Sequence, residues 1–173
     1  MRKALFAATA ALTALVGFPG AAGAATGAQQ FTLVFVGTFT PGASNTGTAA
    51  ATGVINAVGQ GVNSGFLVQP DGTFQGSNRL DFPQGSLNIS FAGHLTGFSF
   101  DPVTCITRIT GTGTWMITSG TGAFVGTTGS GTFTNNVTLV GSQGEGNCSG
   151  ATTEISVIRL TGGVTTAQSG AAA

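Results

Sequence analysis

The 173-residue chain carries very little charge. Only 6% of its residues are Asp, Glu, Lys or Arg, whereas about a quarter is usual in a globular domain. Coiled coils and helical bundles need many charged positions on their solvent faces, and charged disordered tails need runs of one sign. The composition therefore excludes these three classes.

Positive charge is scarcer still in the part of the chain that is expected to fold. The full chain has five basic and five acidic residues. Arg2 and Lys3 belong to a predicted signal peptide, so the processed chain keeps three arginines against five acids, a net charge of −2 with His94 neutral. Binding to nucleic acid needs a basic patch that neutralises phosphates. A nucleic-acid partner is therefore excluded.

Residues 1–24 have the features of a secretory signal peptide. Arg2 and Lys3 form a positive start, residues 4–18 are an apolar run, and residues 22–24 (AGA) offer a cleavage site. This apolar run is shorter than the roughly 20 residues of a membrane helix, and no later run is long enough. We expect a secreted, extracellular protein with no membrane span after processing. An uncleaved anchor is the alternative.

Cysteine is also rare, with only Cys105 and Cys148 in the chain. Two thiols in an exported protein usually form a disulfide. This bond would close a loop of about 44 residues and stabilise the fold by roughly 4 kcal/mol in the chain-entropy model. A zinc site is poorly supported by one His and two Cys. We predict the disulfide, no metal site and no cofactor.

Glycine, by contrast, is abundant, and its spacing leaves little room for helices. There are 30 Gly residues, and after the signal peptide the longest glycine-free stretch is residues 98–110, which Pro102 interrupts. The next, residues 151–161, is rich in Thr, Ile and Val, which favour strands. The chain is therefore predicted to be all-β.

Alternating apolar and polar residues predict eight to ten short strands. They lie at residues 29–40, 54–59, 65–69, 73–82, 86–91, 95–100, 104–110, 111–118, 131–140 and 151–160. The strand at 73–82 is predicted to lie at a sheet edge, because Pro83 ends it. This pattern is typical of a single antiparallel β-barrel of about eight strands, with a β-sandwich as the alternative. We assign residues 25–161 to this domain, with a loop at 41–52 and a flexible C-terminal tail at 162–173.

The segment at residues 111–134, GTGTWMITSGTGAFVGTTGSGTFT, resembles bacterial barrels similar to allene oxide cyclase and dirigent proteins. Two shorter segments, DPVTC at 101–105 and GNC at 146–148, resemble a subgroup of small exported bacterial proteins without assigned activity. The resemblance extends loosely over residues 56–160. It implies an eight-stranded antiparallel barrel with an internal cavity, in which buried acidic or polar residues hold a reactive apolar substrate.

Three charged residues are candidates for ligand binding. Arg108, Glu154 and Arg159 each lie inside a predicted strand, where alternate positions face inward. Alternation places Glu154 and Arg159 on opposite faces of one strand. The alternative is that these charges face outward or form cross-strand pairs. His94 follows Ala92-Gly93 and is predicted to lie in a turn, and no catalytic residue is assigned.

Three functional classes remain open. The first, which we favour, is a non-catalytic exported barrel that binds a small apolar ligand or serves as a surface or extracellular structural module. The second is an isomerase or cyclase of the allene oxide cyclase type. The third is a small outer-membrane barrel, which the absence of Tyr and the single Trp argue against. A homo-oligomer is compatible with the resemblance and with the low charge.

Overall fold

Eight antiparallel strands form a closed barrel in the computed structural model, which describes residues 24–38, 40, 43–144 and 147–167. The strands are β1 (Thr26–Gly37), β2 (Asn45–Gly53), β3 (Ala57–Val68), β4 (Thr73–Phe82), β5 (Gly85–Asp101), β6 (Ile106–Gly120), β7 (Thr128–Gly144) and β8 (Asn147–Thr165). Each strand pairs with its neighbours in sequence, and β1 pairs with β8 to close the sheet. The predicted all-β barrel is confirmed.

The side-chain alternation read from the sequence determines which residues fill the barrel. In β1, Phe31, Leu33 and Phe35 are buried, as predicted from their spacing. In β6, Trp115 is buried whereas its neighbour Met116 is 55% exposed. Because successive residues of a strand point to opposite faces, one set fills the interior and the other meets solvent.

The segment predicted as a loop at residues 41–52 is mostly a strand, and that prediction is wrong. β2 begins at Asn45 and pairs with β1 and β3. Its inward residues Ala49 and Ala51 are buried opposite the large side chains of β1. A Cβ added at Gly61 of β3 would lie 2.9 Å from Leu33 Cδ2. Small residues in β2 and β3 therefore make room for the bulky side chains of β1.

Several short predicted strands join into longer ones, because glycines that were read as breaks lie inside strands. Residues 86–91 and 95–100 both belong to β5, and all of 104–118 except residues 104 and 105 belongs to β6. At Gly111, an added Cβ would lie 2.9 Å from Phe74 Cε1 inside the barrel. This glycine leaves space for an interior aromatic ring and does not mark a turn.

Closure of the barrel corrects two further predictions. β4 pairs with both β3 and β5, so it is not an edge strand. Residues 162–165, placed in the flexible tail, belong to β8 and pair with β1 and β7. The remaining part of that tail at 168–173, like the predicted signal peptide except for its last residue, lies outside the described residues. No helix among the described residues is long and apolar enough to cross a bilayer.

The predicted disulfide between Cys105 and Cys148 is confirmed, with a Cα–Cα distance of 5.4 Å. It joins the β5–β6 connection to the start of β8. The side chain of Asp101 orders the same connection, because its carboxylate accepts hydrogen bonds from Val103 N (2.8 Å) and Thr104 Oγ1 (2.7 Å). Two neighbouring hairpins are therefore linked covalently at one end of the barrel.

The two ends of the barrel differ in their filling. We call the end with the β2–β3, β4–β5 and β6–β7 connections the packed end, and the end with the disulfide the open end. Among the residues whose burial is described, the large side chains with less than 2% exposure are Phe31, Leu33, Leu80, Leu87, Ile89, Trp115, Leu160, Val164 and, as the single polar member, Asn78. In the β6–β7 connection Phe124 packs against Phe82 with ring centroids 5.9 Å apart and covers the packed end.

Candidate functional site

A cavity of about 480 Å³ lies inside the barrel on the side of the open end. Its floor consists of Phe74, Phe91 and Phe133, whose ring centroids lie 5.7 to 6.4 Å from one another. Residues from the rim, including the 70% exposed Phe98, also line it. Aromatic and aliphatic side chains from β4 to β7 therefore form an apolar wall.

Four polar side chains of the cavity lining form a row across β4, β3, β2 and β8. Asn78 is the register partner of Asn63, and Asn63 is the register partner of Asn45. Asn63 Nδ2 donates a hydrogen bond to Asn78 Oδ1 (3.0 Å), and Asn45 Nδ2 donates one to Glu154 Oε2 (2.8 Å). We refer to Asn78, Asn63, Asn45 and Glu154, all of which line the cavity, as the polar row.

The contact between Asn45 and Glu154 passes over β1, which lies between their strands. Gly37 of β1 is the register partner of Glu154, and a Cβ added there would have no atom within 4 Å. Glu154 is 9% exposed. Its burial raises the pKa of its carboxyl group, and the hydrogen bond from Asn45 acts in the opposite direction. The cavity thus contains a largely desolvated carboxyl group.

A second polar pair lies beside the row. Ser156 Oγ donates a hydrogen bond to Asn135 Oδ1 (3.2 Å), and both residues line the cavity. Like the carboxyl group of Glu154, these groups occur at inward positions of β7 and β8. The cavity is therefore amphipathic, because amides, hydroxyls and one carboxyl group lie among aromatic and aliphatic side chains.

One polar atom of the row has no hydrogen-bond partner among the described residues. Asn78 is 1% exposed, and its Nδ2 atom is buried and unpaired. Leaving a buried donor unsatisfied costs about 1–3 kcal/mol. Asn78 lines the cavity, so this unpaired donor lies in or behind its wall.

The structure brings one of the three predicted ligand-binding residues into the cavity. Glu154 lines it, on the inward face of β8. Arg159 and Arg108 are exposed on the outer face of the barrel and do not line the cavity. Each of these two arginines occupies an outward-facing position of its strand. Of the three predicted ligand-binding residues, only Glu154 therefore lies where it could contact a ligand in the cavity.

Arg108 instead lies near the β5–β6 connection. It adds a minor contribution to the lowered pKa of Asp101, whose main causes are the hydrogen bonds from Thr104 and Val103. His94 is exposed, and among the described residues no three His, Cys, Asp or Glu side chains are grouped so that they could hold a metal ion.

Sequence reasoning missed the six amide and hydroxyl residues that line the cavity. These are Thr40, Asn45, Asn63, Asn78, Asn135 and Ser156. A usable signal existed for three of them. Asn78 is in phase with Phe74 and Leu80, Asn135 is in phase with Phe133 and Leu139, and Ser156 is in phase with Ile158 and Leu160. A polar residue on an otherwise apolar strand face is a candidate for an interior site.

No protein-family model, curated protein or solved structure matches this chain. The resemblance to allene oxide cyclase and dirigent barrels stays a prediction.

Proposed function

We propose that this protein is an exported β-barrel that binds one small, largely apolar molecule in its cavity, without catalysing a reaction. The observation that carries the proposal is the cavity itself. Its volume of about 480 Å³ lies within the range of about 300–1,000 Å³ that is usual for small-molecule sites. A mostly apolar lining with a few polar groups is also typical of such sites.

Two further observations support the proposal. The disulfide between Cys105 and Cys148 fits an oxidising compartment outside the cytoplasm. Glu154 is the only ionisable side chain among the described residues that line the cavity. Acid–base catalysis generally uses separate proton donors and acceptors in defined positions. A single carboxyl group among amides favours binding over catalysis.

Binding can be tested with the neutral fluorescent probe N-phenyl-1-naphthylamine, whose emission rises in apolar surroundings. We expect saturable binding to the wild-type protein. Val137→Phe should weaken it at least about tenfold, since Val137 lines the cavity and the larger ring would extend into it. Val58→Phe is the matched control, because Val58 is 67% exposed and does not line the cavity.

Far-ultraviolet circular dichroism would show whether both variants keep the wild-type strand content. The proposal fails if the folded wild-type protein does not bind the probe. It also fails if folded Val137→Phe binds the probe as the wild type does, or if both substitutions weaken binding equally.

A further inference from the structure

Asn78 lines the cavity and has one side-chain donor that no described residue uses. It lies on β4 in phase with Phe74 and Leu80, and it is 1% exposed. Its Oδ1 atom accepts the hydrogen bond from Asn63 Nδ2 (3.0 Å). This contact fixes the amide with its oxygen engaged and its Nδ2 donor unpaired among the described residues.

We infer that Asn78 Nδ2 donates a hydrogen bond to a carbonyl oxygen of the bound molecule, so that the site selects neutral carbonyl compounds such as ketones, esters or lactones with an apolar body. This inference rests on the proposed binding function and specifies its ligand class. A buried donor that gains an acceptor removes a desolvation cost, whereas an apolar ligand of the same shape leaves that cost in place.

The charge of the lining argues for a neutral ligand and against a carboxylate. Among the described lining residues there is no Lys, Arg or His, and Glu154 is the only ionisable group. Arg79, Arg108 and Arg159 are all exposed outside the cavity. A carboxylate would thus be buried without a cation and close to the carboxyl group of the polar row, which is unfavourable.

The apolar body of the ligand fits the aromatic rings beside Asn78. Phe74 lies on the same strand and face as Asn78, and its ring contacts those of Phe91 and Phe133. Aromatic rings bind flat apolar groups through large contact areas and offset or edge-on geometry. A ligand with a carbonyl group on an aromatic or aliphatic body would therefore place its oxygen at Asn78 and its body against these rings.

Three naphthalene derivatives of similar size would test this selectivity by isothermal titration calorimetry at neutral pH. They are 2-acetylnaphthalene with a ketone, 2-isopropylnaphthalene with an apolar group of similar size, and 2-naphthoate with a carboxylate. We expect the ketone to bind the wild-type protein about tenfold more tightly than the isopropyl compound. The carboxylate should bind most weakly.

Substitution of Asn78 identifies the donor. In Asn78→Leu, the ketone and the isopropyl compound should bind with about equal affinity. Asn135→Leu is the matched control, because it also replaces an amide that lines the cavity but leaves Asn78 intact, and the preference should persist there. If Asn78→Leu does not fold, Asn63→Leu/Asn78→Leu removes both amides of the pair at once, and the preference should be lost in the same way.

A spectroscopic measurement needs no variant. The carbonyl stretch of 2-acetylnaphthalene bound to the wild-type protein should lie at lower wavenumber than in cyclohexane, because a hydrogen bond weakens the carbonyl bond. A stretch equal to that in cyclohexane would overturn the inference.

The outcomes separate the two levels of the proposal. Equal binding of the ketone and the isopropyl compound to the wild-type protein would overturn the role of Asn78 while leaving apolar binding in place. Loss of the preference in Asn135→Leu but not in Asn78→Leu would overturn it as well. If none of the three compounds binds and N-phenyl-1-naphthylamine does not bind either, both the binding function and the inference fail.

Discussion

The packed end and the open end of this barrel differ in how completely a buried amide side chain is hydrogen-bonded. At the packed end, Gln29 is 3% exposed, its Oε1 accepts from Ile55 N (2.7 Å) and its Nε2 donates to Ile55 O (3.1 Å). Beside the cavity, Asn78 is 1% exposed, and among the described residues only its oxygen has a hydrogen-bond partner. Both polar atoms of the first amide are therefore paired, whereas the second amide has an unpaired donor, to which we assign the ligand.

The same difference appears in the apolar side chains. Near the packed end, Phe31 and Trp115 meet edge to face with centroids 5.7 Å apart, and Trp115 Nε1 donates to the carbonyl oxygens of Thr132 and Thr161. Near the open end, Phe98 is 70% exposed at the rim. One set of eight strands thus provides both a solid core and a cavity, because the interior side chains change in size and polarity along the strands.

Truncation of an aromatic residue at each end should give the largest contrast. Trp115→Ala should lower the free energy of unfolding by about 3–5 kcal/mol, since it removes a fully packed ring. Phe98→Ala should change it by no more than about 0.5 kcal/mol, since that ring is mostly exposed. Urea denaturation followed by circular dichroism measures both values. Equal losses would contradict the division of the barrel into two ends.

Removal of the disulfide should have the second-largest effect on the free energy of unfolding. Cys105→Ser/Cys148→Ser should lower the free energy of unfolding by about 2–4 kcal/mol, because the bond closes a long loop in the unfolded chain. Addition of a reductant should destabilise the wild-type protein to the same extent and leave the variant unchanged. If the reductant also destabilised the variant, its effect on the wild-type protein could not be assigned to this disulfide.

Glu154→Gln should give the smallest effect, and it should depend on pH. Burial raises the pKa of Glu154 above its ordinary value of 4.5, so the folded state binds the proton more tightly than the unfolded state. The contribution of this group to stability is therefore complete below that value and is lost as the pH rises through the raised pKa. Gln stays neutral and keeps an oxygen that can accept from Asn45.

We therefore expect Glu154→Gln to gain stability over the wild type in thermal unfolding as the pH rises from below 4.5 through the raised pKa. Asp71 and Asp101, whose pKa values are lowered mainly by hydrogen bonds from Thr73 and Thr104, favour the opposite trend. Their effects are common to both proteins and cancel in the difference. A difference that does not change with pH would contradict the raised pKa.

The sequence predicted well those strands in which the alternation of apolar and polar residues is enough to identify the inward face. The alternation of Leu87 and Ile89 in β5, and of Trp115 and Ile117 in β6, is sufficient to define the interior. β2 was missed because most of its inward positions are Gly47, Ala49 and Ala51, which carry no such signal. Its role becomes apparent only when Phe31 and Leu33 of β1 occupy the space that it leaves.

The candidate site divides in the same way. Glu154 could be predicted because it is a rare charge on a strand, and its phase with Ile158 made it an inward candidate. Asn45 and Asn63 could not be predicted, because no apolar pattern surrounds them. Their place in the polar row depends on the register between neighbouring strands. Interior polarity is thus partly a property of strand pairing, which a single chain segment does not encode.

The seam between β1 and β8 has a consequence for how the molecule folds. Thr26 and Thr165 meet there although 139 positions separate them, and Thr166 N donates to Ala25 O (2.9 Å). Every other neighbouring pair of strands is a local hairpin that can form early. The barrel can close only after β8 has formed, because β1 pairs with β8. Until then β1 and β8 both present unpaired edges, so this one step sets the time during which the growing sheet is open to self-association.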